Sequence, residues 1–67
     1  MKARIYVAAP DGKTWFSAPI DLEESVQVVD KAMGGGCLRF RDDGHTHHYF
    51  SAKRLADSHV YVMPIQE

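Results

Sequence analysis

Residues 4–17 read RIYVAAPDGKTWFS and residues 38–51 read LRFRDDGHTHHYFS. Each segment places a turn motif, Pro10-Asp11-Gly12 or Asp42-Asp43-Gly44, between two runs rich in apolar or aromatic residues. A glycine that follows two good formers of a type I turn predicts a three-residue hairpin loop, with the glycine in the left-handed region of backbone space. The chain is therefore expected to contain two antiparallel hairpins, and their register decides which side chains share a face.

The first loop predicts that Val7 lies opposite Trp15 and that Tyr6 lies opposite Phe16. Directly opposed residues share a face of the sheet. One face of this hairpin then carries Ile5, Val7 and Trp15, and the other carries Arg4, Tyr6 and Phe16.

The second loop, taken as Asp42-Asp43-Gly44, predicts that Arg41 lies opposite His45 and Arg39 opposite His47. The core side then receives Leu38, Phe40, Thr46, His48 and Phe50, and the outer side receives Arg39, Arg41, His45, His47 and Tyr49. A two-residue Asp43-Gly44 turn would exchange the two faces of the second strand, so that His47 and Tyr49 would point inward and Phe50 outward. We prefer the longer loop because it buries that side chain.

One amphipathic helix is predicted between the hairpins. Asp21 is its expected N-cap, and Glu24 stands at the capping-box position three residues later. The spacing of Leu22, Val26, Val29 and Met33 predicts an apolar stripe on one side of the helix. The glycines at 34–36 end it.

The remaining segments complete an α+β domain. Residues 52–57 have the composition of a single helical turn, and His59–Met63 reads as a last strand with Val60 and Val62 toward the core. The order ββαβββ predicts one small antiparallel sheet of about five strands, with a helix packed on its apolar face. A small SH3-like barrel with an inserted helix is the alternative fold.

The composition limits the function classes. The chain has 67 residues, which indicates a single domain, and it carries a formal net charge of −1. This charge argues against a protein whose main partner is the nucleic-acid backbone. The single cysteine, Cys37, and the absence of an export-like start favour the cytoplasm, and no run is apolar enough for a membrane span.

The predicted outer face of the sheet is the candidate binding surface. Its residues combine aromatic rings with cationic groups: Arg4, Tyr6, Phe16, Arg39, Arg41, His45, His47, Tyr49, His59, Tyr61 and Met63. Tyr, Arg and Met are enriched in interface cores, so we expect a protein partner and a homodimer. The sequence thus predicts a non-enzymatic interaction module, an accessory, regulatory or inhibitory factor that binds a larger protein through this face or through a sheet edge, and requires no cofactor.

Two alternatives use the same residues. His45, His47 and His59 would supply three imidazoles for a zinc or nickel site in a ligand-binding or metal-binding module. Aromatic rings beside arginines would also suit single-stranded nucleic acid. Nucleophilic catalysis is not expected, because Cys37 stands at the start of an apolar strand, where a small buried residue fits.

Overall fold

The structure, a computed structural model, describes residues 1–66. It confirms the α+β class. The elements in chain order are β1 (Lys2–Ala8), β2 (Thr14–Phe16), β3 (Ile20–Asp21), α1 (Leu22–Met33), β4 (Leu38–Arg41), β5 (His47–Phe50), α2 (Ala52–Ala56) and β6 (His59–Pro64).

Strand β1 is the centre of the larger sheet. It pairs antiparallel with β6 along one edge, and with β2 and then β3 along the other. The first hairpin has the predicted register, with Val7 opposite Trp15 and Tyr6 opposite Phe16. Gly12 has a φ of 92°, so it occupies the left-handed position that we predicted for it.

The strands form two sheets, which corrects the prediction of a single sheet of about five strands. Strands β4 and β5 pair only with each other among the described residues. Within residues 1–66 one backbone hydrogen bond joins them to the larger sheet, from the Ala18 N–H to the Arg41 carbonyl at 2.8 Å. Pro19, which has no N–H to donate, follows directly. The strands do not close into a barrel, so the alternative SH3-like fold is wrong.

The second hairpin has the predicted faces but different cross-strand partners. Arg41 lies opposite His47 and Arg39 opposite Tyr49, two residues away from the predicted pairing. The loop is 43–45, and His45, with a φ of 65°, takes the left-handed position that we predicted for Gly44. Because side chains alternate with a period of two, this slip leaves every strand residue on its predicted face. Thr46, which we expected in the core, is exposed at the end of the turn.

Asp42 explains the displaced loop. One of its carboxylate oxygens, Oδ1, accepts hydrogen bonds from the backbone N–H groups of Gly44 at 2.9 Å and Thr46 at 3.0 Å. These bonds place Asp42 before the turn instead of within it, and its own N–H donates to the Thr46 carbonyl at 2.9 Å. Asp and Asn side chains that bond the backbone two residues onward commonly start such turns.

Helix α1 begins and ends as predicted. The Asp21 carboxylate accepts a hydrogen bond from the Glu24 N–H at 3.4 Å, which confirms it as the N-cap. Gly34 is the C-cap residue, and Gly35 has a φ of 107°. A side chain at Gly35 would be strained, which accounts for a glycine directly after the C-cap residue.

The predicted apolar stripe of α1 is only partly correct, because Val29 packs against the core but Val26 and Met33 do not face it. The innermost residues are Ser25 and Ala32, whereas Val26 and Met33 are 42% and 52% exposed. Small residues let the helix approach the sheet closely. The Ser25 hydroxyl donates to the Leu22 carbonyl at 2.6 Å, so its burial leaves no unpaired polar group.

The core lies between α1, β1 and the second hairpin. It consists of Ile5, Val7, Ala32, Leu38, Phe40, Phe50 and Leu55, with Trp15, Ile20, Val28, Val29, Val60 and Val62 packed against it. Trp15 meets the edge of the Phe50 ring with centroids 5.4 Å apart. This contact ties the two sheets together.

Candidate interaction surfaces

The eleven candidate residues do not share one sheet, because β4 and β5 form a sheet of their own. The outward side of the larger sheet, here called the aromatic face, carries Arg4, Tyr6, Phe16, His59, Tyr61 and Met63. The outward side of the second hairpin, here called the cationic ribbon, carries Arg39, Arg41, His47 and Tyr49, with His45 in the adjoining turn. The prediction of one continuous face is therefore wrong, and the binding role of either group stays a prediction.

The aromatic face contains a row of rings that crosses three strands. Tyr6 lies opposite both Phe16 and Tyr61. The Tyr6 and Tyr61 rings are stacked with centroids 5.1 Å apart and planes 4° apart, and Phe16 lies 5.8 Å from Tyr6. Phe16 and Met63 are 44% and 51% exposed. Strand pairing thus builds a contiguous apolar surface from residues far apart in the chain.

The charge of Arg4 is balanced within the fold. Its Nη1 atom lies 3.0 Å from a carboxylate oxygen of Asp43 and donates to the Ser17 carbonyl at 2.8 Å. Its guanidinium carbon is 5.4 Å from the centre of the Phe16 ring. A partner that covered the aromatic face would therefore not bury an unpaired charge, which is the costly case.

The cationic ribbon borders a groove of about 530 Å³. Its lining comes from β4 and β5, from the segment between β2 and β3, and from Glu24 and Val28 of α1. Within residues 1–66 the salt bridges are Arg4 with Asp43 and His48 with Asp42, so Arg39 and Arg41 have no carboxylate partner there. Both side chains are exposed. The lining of the groove thus combines two guanidinium groups that form no salt bridge within residues 1–66 with apolar side chains such as Ile20 and Val28.

An Asp42–His48 pair holds the base of the second turn. The His48 Nε2 atom lies 2.8 Å from Asp42 Oδ2, and the other Asp42 oxygen accepts the two backbone bonds described above. The hydrogen bond from His48 and the backbone bond from Thr46 hold the pKa of Asp42 below its ordinary value. Sequence reasoning treated Asp42 as a loop residue and missed this pair. An aspartate two residues before a glycine was the available signal.

Asp42→Asn should destabilise the protein at neutral pH and matter less in acid. The pKa of Asp42 is lower in the folded than in the unfolded chain, so its stabilising effect is present above the unfolded pKa. That effect is lost as the pH falls through the folded pKa. The difference in melting temperature between wild type and variant should therefore become smaller below about pH 4.

Asp57→Asn is the control for this experiment. The Asp57 side chain makes no hydrogen bond with residues 1–66 and, like Asp42, lies at the end of an element. We expect its melting temperature to follow wild type at every pH. If the melting temperature of Asp42→Asn stays below that of wild type by the same amount from neutral pH into acid, the ionised Asp42 carboxylate does not stabilise the fold as stated.

The histidine alternative is not assembled by the fold. His59 lies on β6 of the larger sheet, whereas His45 and His47 belong to the second hairpin. Among residues 1–66, no group of three His, Cys, Asp or Glu side chains is placed to hold a metal ion. Cys37 is exposed, so the expectation that it is buried is wrong. It precedes β4 and points outside the core that begins at Leu38.

Comparison with known proteins yields no matching family model, no matching curated protein and no matching solved structure. Within residues 1–66, no helix has the length and apolar character needed to cross a membrane. The class that the fold defines is a small α+β protein with two candidate interaction surfaces.

Proposed function

We propose that this chain is a small non-enzymatic protein-interaction module of the cytoplasm, which forms a homodimer through its aromatic face and acts as an accessory or regulatory factor of a larger protein. The observation that supports the dimer is the row of outward rings across β2, β1 and β6. Phe16 ends this row on β2, and Met63, two residues from Tyr61 on β6, is a further exposed apolar side chain of the aromatic face.

A second copy suits this face for two reasons. A two-fold interface brings the same patch together from both protomers, so a flat apolar patch can pair with itself. The cation at the edge, Arg4, already has Asp43 as its partner and needs none from the second copy. Burial of the face would add stability at roughly 25 cal/mol per Å² of apolar area. A chain of 67 residues has a small core, so this gain is a large share of its total stability.

Tyr61→Glu and Met63→Glu should convert the dimer to a monomer, because each introduces a carboxylate into the apolar interface. Light scattering and sedimentation velocity at high micromolar concentration measure the oligomeric state. Met63 is more exposed than Tyr61, so its substitution leaves the monomer fold less disturbed. A circular dichroism spectrum of each variant shows whether it is folded.

Tyr49→Glu is the matched control, because it makes the same change at an exposed tyrosine on the other sheet. We expect it to remain dimeric. A wild type that is monomeric at high micromolar concentration would reject the homodimer. A dimer that Tyr49→Glu disrupts and Met63→Glu leaves intact would place the interface on the cationic ribbon instead.

A further inference from the structure

We infer that the groove beside the cationic ribbon binds an extended, acidic segment of a partner protein, which joins the exposed edge of β4 as an additional strand. This inference rests on the proposed function in that it takes the partner to be a protein. It does not depend on the homodimer, because the aromatic face belongs to the other sheet.

Charge complementarity identifies the acidic character of the segment. Arg39 and Arg41 are exposed, lie two residues apart on one strand and have no salt bridge with residues 1–66. Their cross-strand neighbours, Tyr49 and His47, add a ring and an imidazole to the same face. Arg4 differs, because its guanidinium is already held by Asp43. Guanidinium groups without a partner bind carboxylates by charge-assisted, often bidentate, hydrogen bonds.

Backbone hydrogen bonding indicates an extended segment. The Asp42 N–H donates to the Thr46 carbonyl, so this pair is hydrogen-bonded across the hairpin. Because such pairs alternate along an antiparallel ladder, the N–H and carbonyl groups of Arg39 and Arg41 point away from β5. The Arg41 carbonyl accepts from Ala18. The Arg39 groups have no backbone partner within residues 1–66 and are available for strand addition.

The groove also sets the spacing of the segment. Ile20 and Val28 line it and are half-buried, so an apolar side chain can be covered there. In an extended segment alternate side chains point to opposite sides, so acidic and apolar residues should alternate. Glu24, which also lines the groove, disfavours a continuous polyanion such as nucleic acid. A peptide whose carboxylates are separated by apolar residues can place them away from Glu24.

Fluorescence anisotropy with a short labelled peptide of alternating glutamate and valine tests this inference on the full chain. The double variant Arg39→Gln/Arg41→Gln should bind the peptide about tenfold more weakly or worse, through loss of two charge-assisted contacts. The variant Lys13→Gln/Lys53→Gln removes the same charge elsewhere on the exposed surface and should bind like wild type. A peptide with the same side chains but N-methylated backbone amides lacks the N–H donors that strand addition requires, so it should bind more weakly.

Single-stranded oligothymidylate of matched length is the competing probe. Arginine-dependent binding of this probe that is tighter than the peptide's would overturn the inference in favour of nucleic acid. Equal peptide affinity of the two double variants, or no peptide binding by wild type, would also overturn it. Peptide binding retained in monomeric Met63→Glu supports the groove independently of the dimer. A wild type that is dimeric but does not bind the peptide would refute peptide binding in the groove and leave the homodimer proposal intact.

Discussion

Leu38→Ala should lower the free energy of unfolding by about 3 kcal/mol. Leu38 begins β4 and is fully buried, in the core cluster that packs the second hairpin against α1 and β1. Its truncation removes apolar contacts and leaves a cavity, because the surrounding strands relax only in part. Small domains are stable by only about 5–15 kcal/mol, so this single change is a large fraction of the total.

Urea unfolding followed by circular dichroism measures this effect, with Met33→Ala as the control. Met33 is a long apolar residue that the sequence pattern assigned to the buried stripe of α1, yet it is 52% exposed. We expect its substitution to change stability by less than about 0.5 kcal/mol. Comparable losses for the two variants would mean that α1 presents its predicted stripe to the sheet.

Ser17→Ala should cost about 2 kcal/mol, an unusually large effect for the loss of one hydroxyl group. Ser17 is fully buried after the end of β2, and its hydroxyl accepts a hydrogen bond from the Ile5 N–H at 2.8 Å. Without that acceptor the Ile5 N–H is left unpaired in a buried site. A buried unsatisfied donor costs more than the net value of the bond itself.

Thr14→Ala is the control for Ser17, because Thr14 carries a hydroxyl on β2, three residues before Ser17, but is exposed. It should alter stability by less than about 0.5 kcal/mol. Hydrogen exchange at the Ile5 amide gives a second measurement, since the Ser17 substitution should raise the exchange rate there most. An Ile5 amide that stays as protected as in wild type would contradict the bond.

The two surfaces lie on different sheets, and this separation has a consequence for the proposed function. A dimer formed through the aromatic face would leave the groove beside the cationic ribbon open in each protomer. Each dimer would then carry two copies of the groove, and this bivalency strengthens binding to a partner with repeated acidic segments. Asp43 connects the surfaces, because it lies in the turn of the second hairpin and pairs with Arg4 on the aromatic face.

Local features were predictable where neighbouring residues determine them. The register of the first hairpin followed from Pro10-Asp11-Gly12, since glycine is the residue best suited to the left-handed position. The cap at Asp21 and the glycine stop after α1 followed from chemistry within one helical turn. The outward orientation of the candidate residues also followed from strand alternation, which tolerates a slip of two residues.

The division of the candidate residues into two surfaces required the tertiary structure. A sequence pattern shows which face of a strand a residue takes, but it does not show which strands are neighbours. Within residues 1–66 a single backbone hydrogen bond, from Ala18 to Arg41, connects the second hairpin to the rest of the strands. Pro19, which follows Ala18, has no N–H to extend the pairing, so the hairpin is a separate sheet. The side of α1 that faces the sheet also required the tertiary structure. The helix lies close to the sheet, so the small residues Ser25 and Ala32 are buried there and the larger Val26 and Met33 are exposed.

The sequence alone therefore determined the α+β class, the position of the first turn, the ends of α1 and the alternation of side chains along each strand. These depend on backbone sterics and hydrogen bonds between residues close in the chain. Tertiary structure decided the pairing of Arg4 with Asp43, the burial of Ser17 and the separation of aromatic face from cationic ribbon. Those features depend on packing between segments distant in the chain, where shape and buried polar groups select one arrangement among several that the same pattern allows.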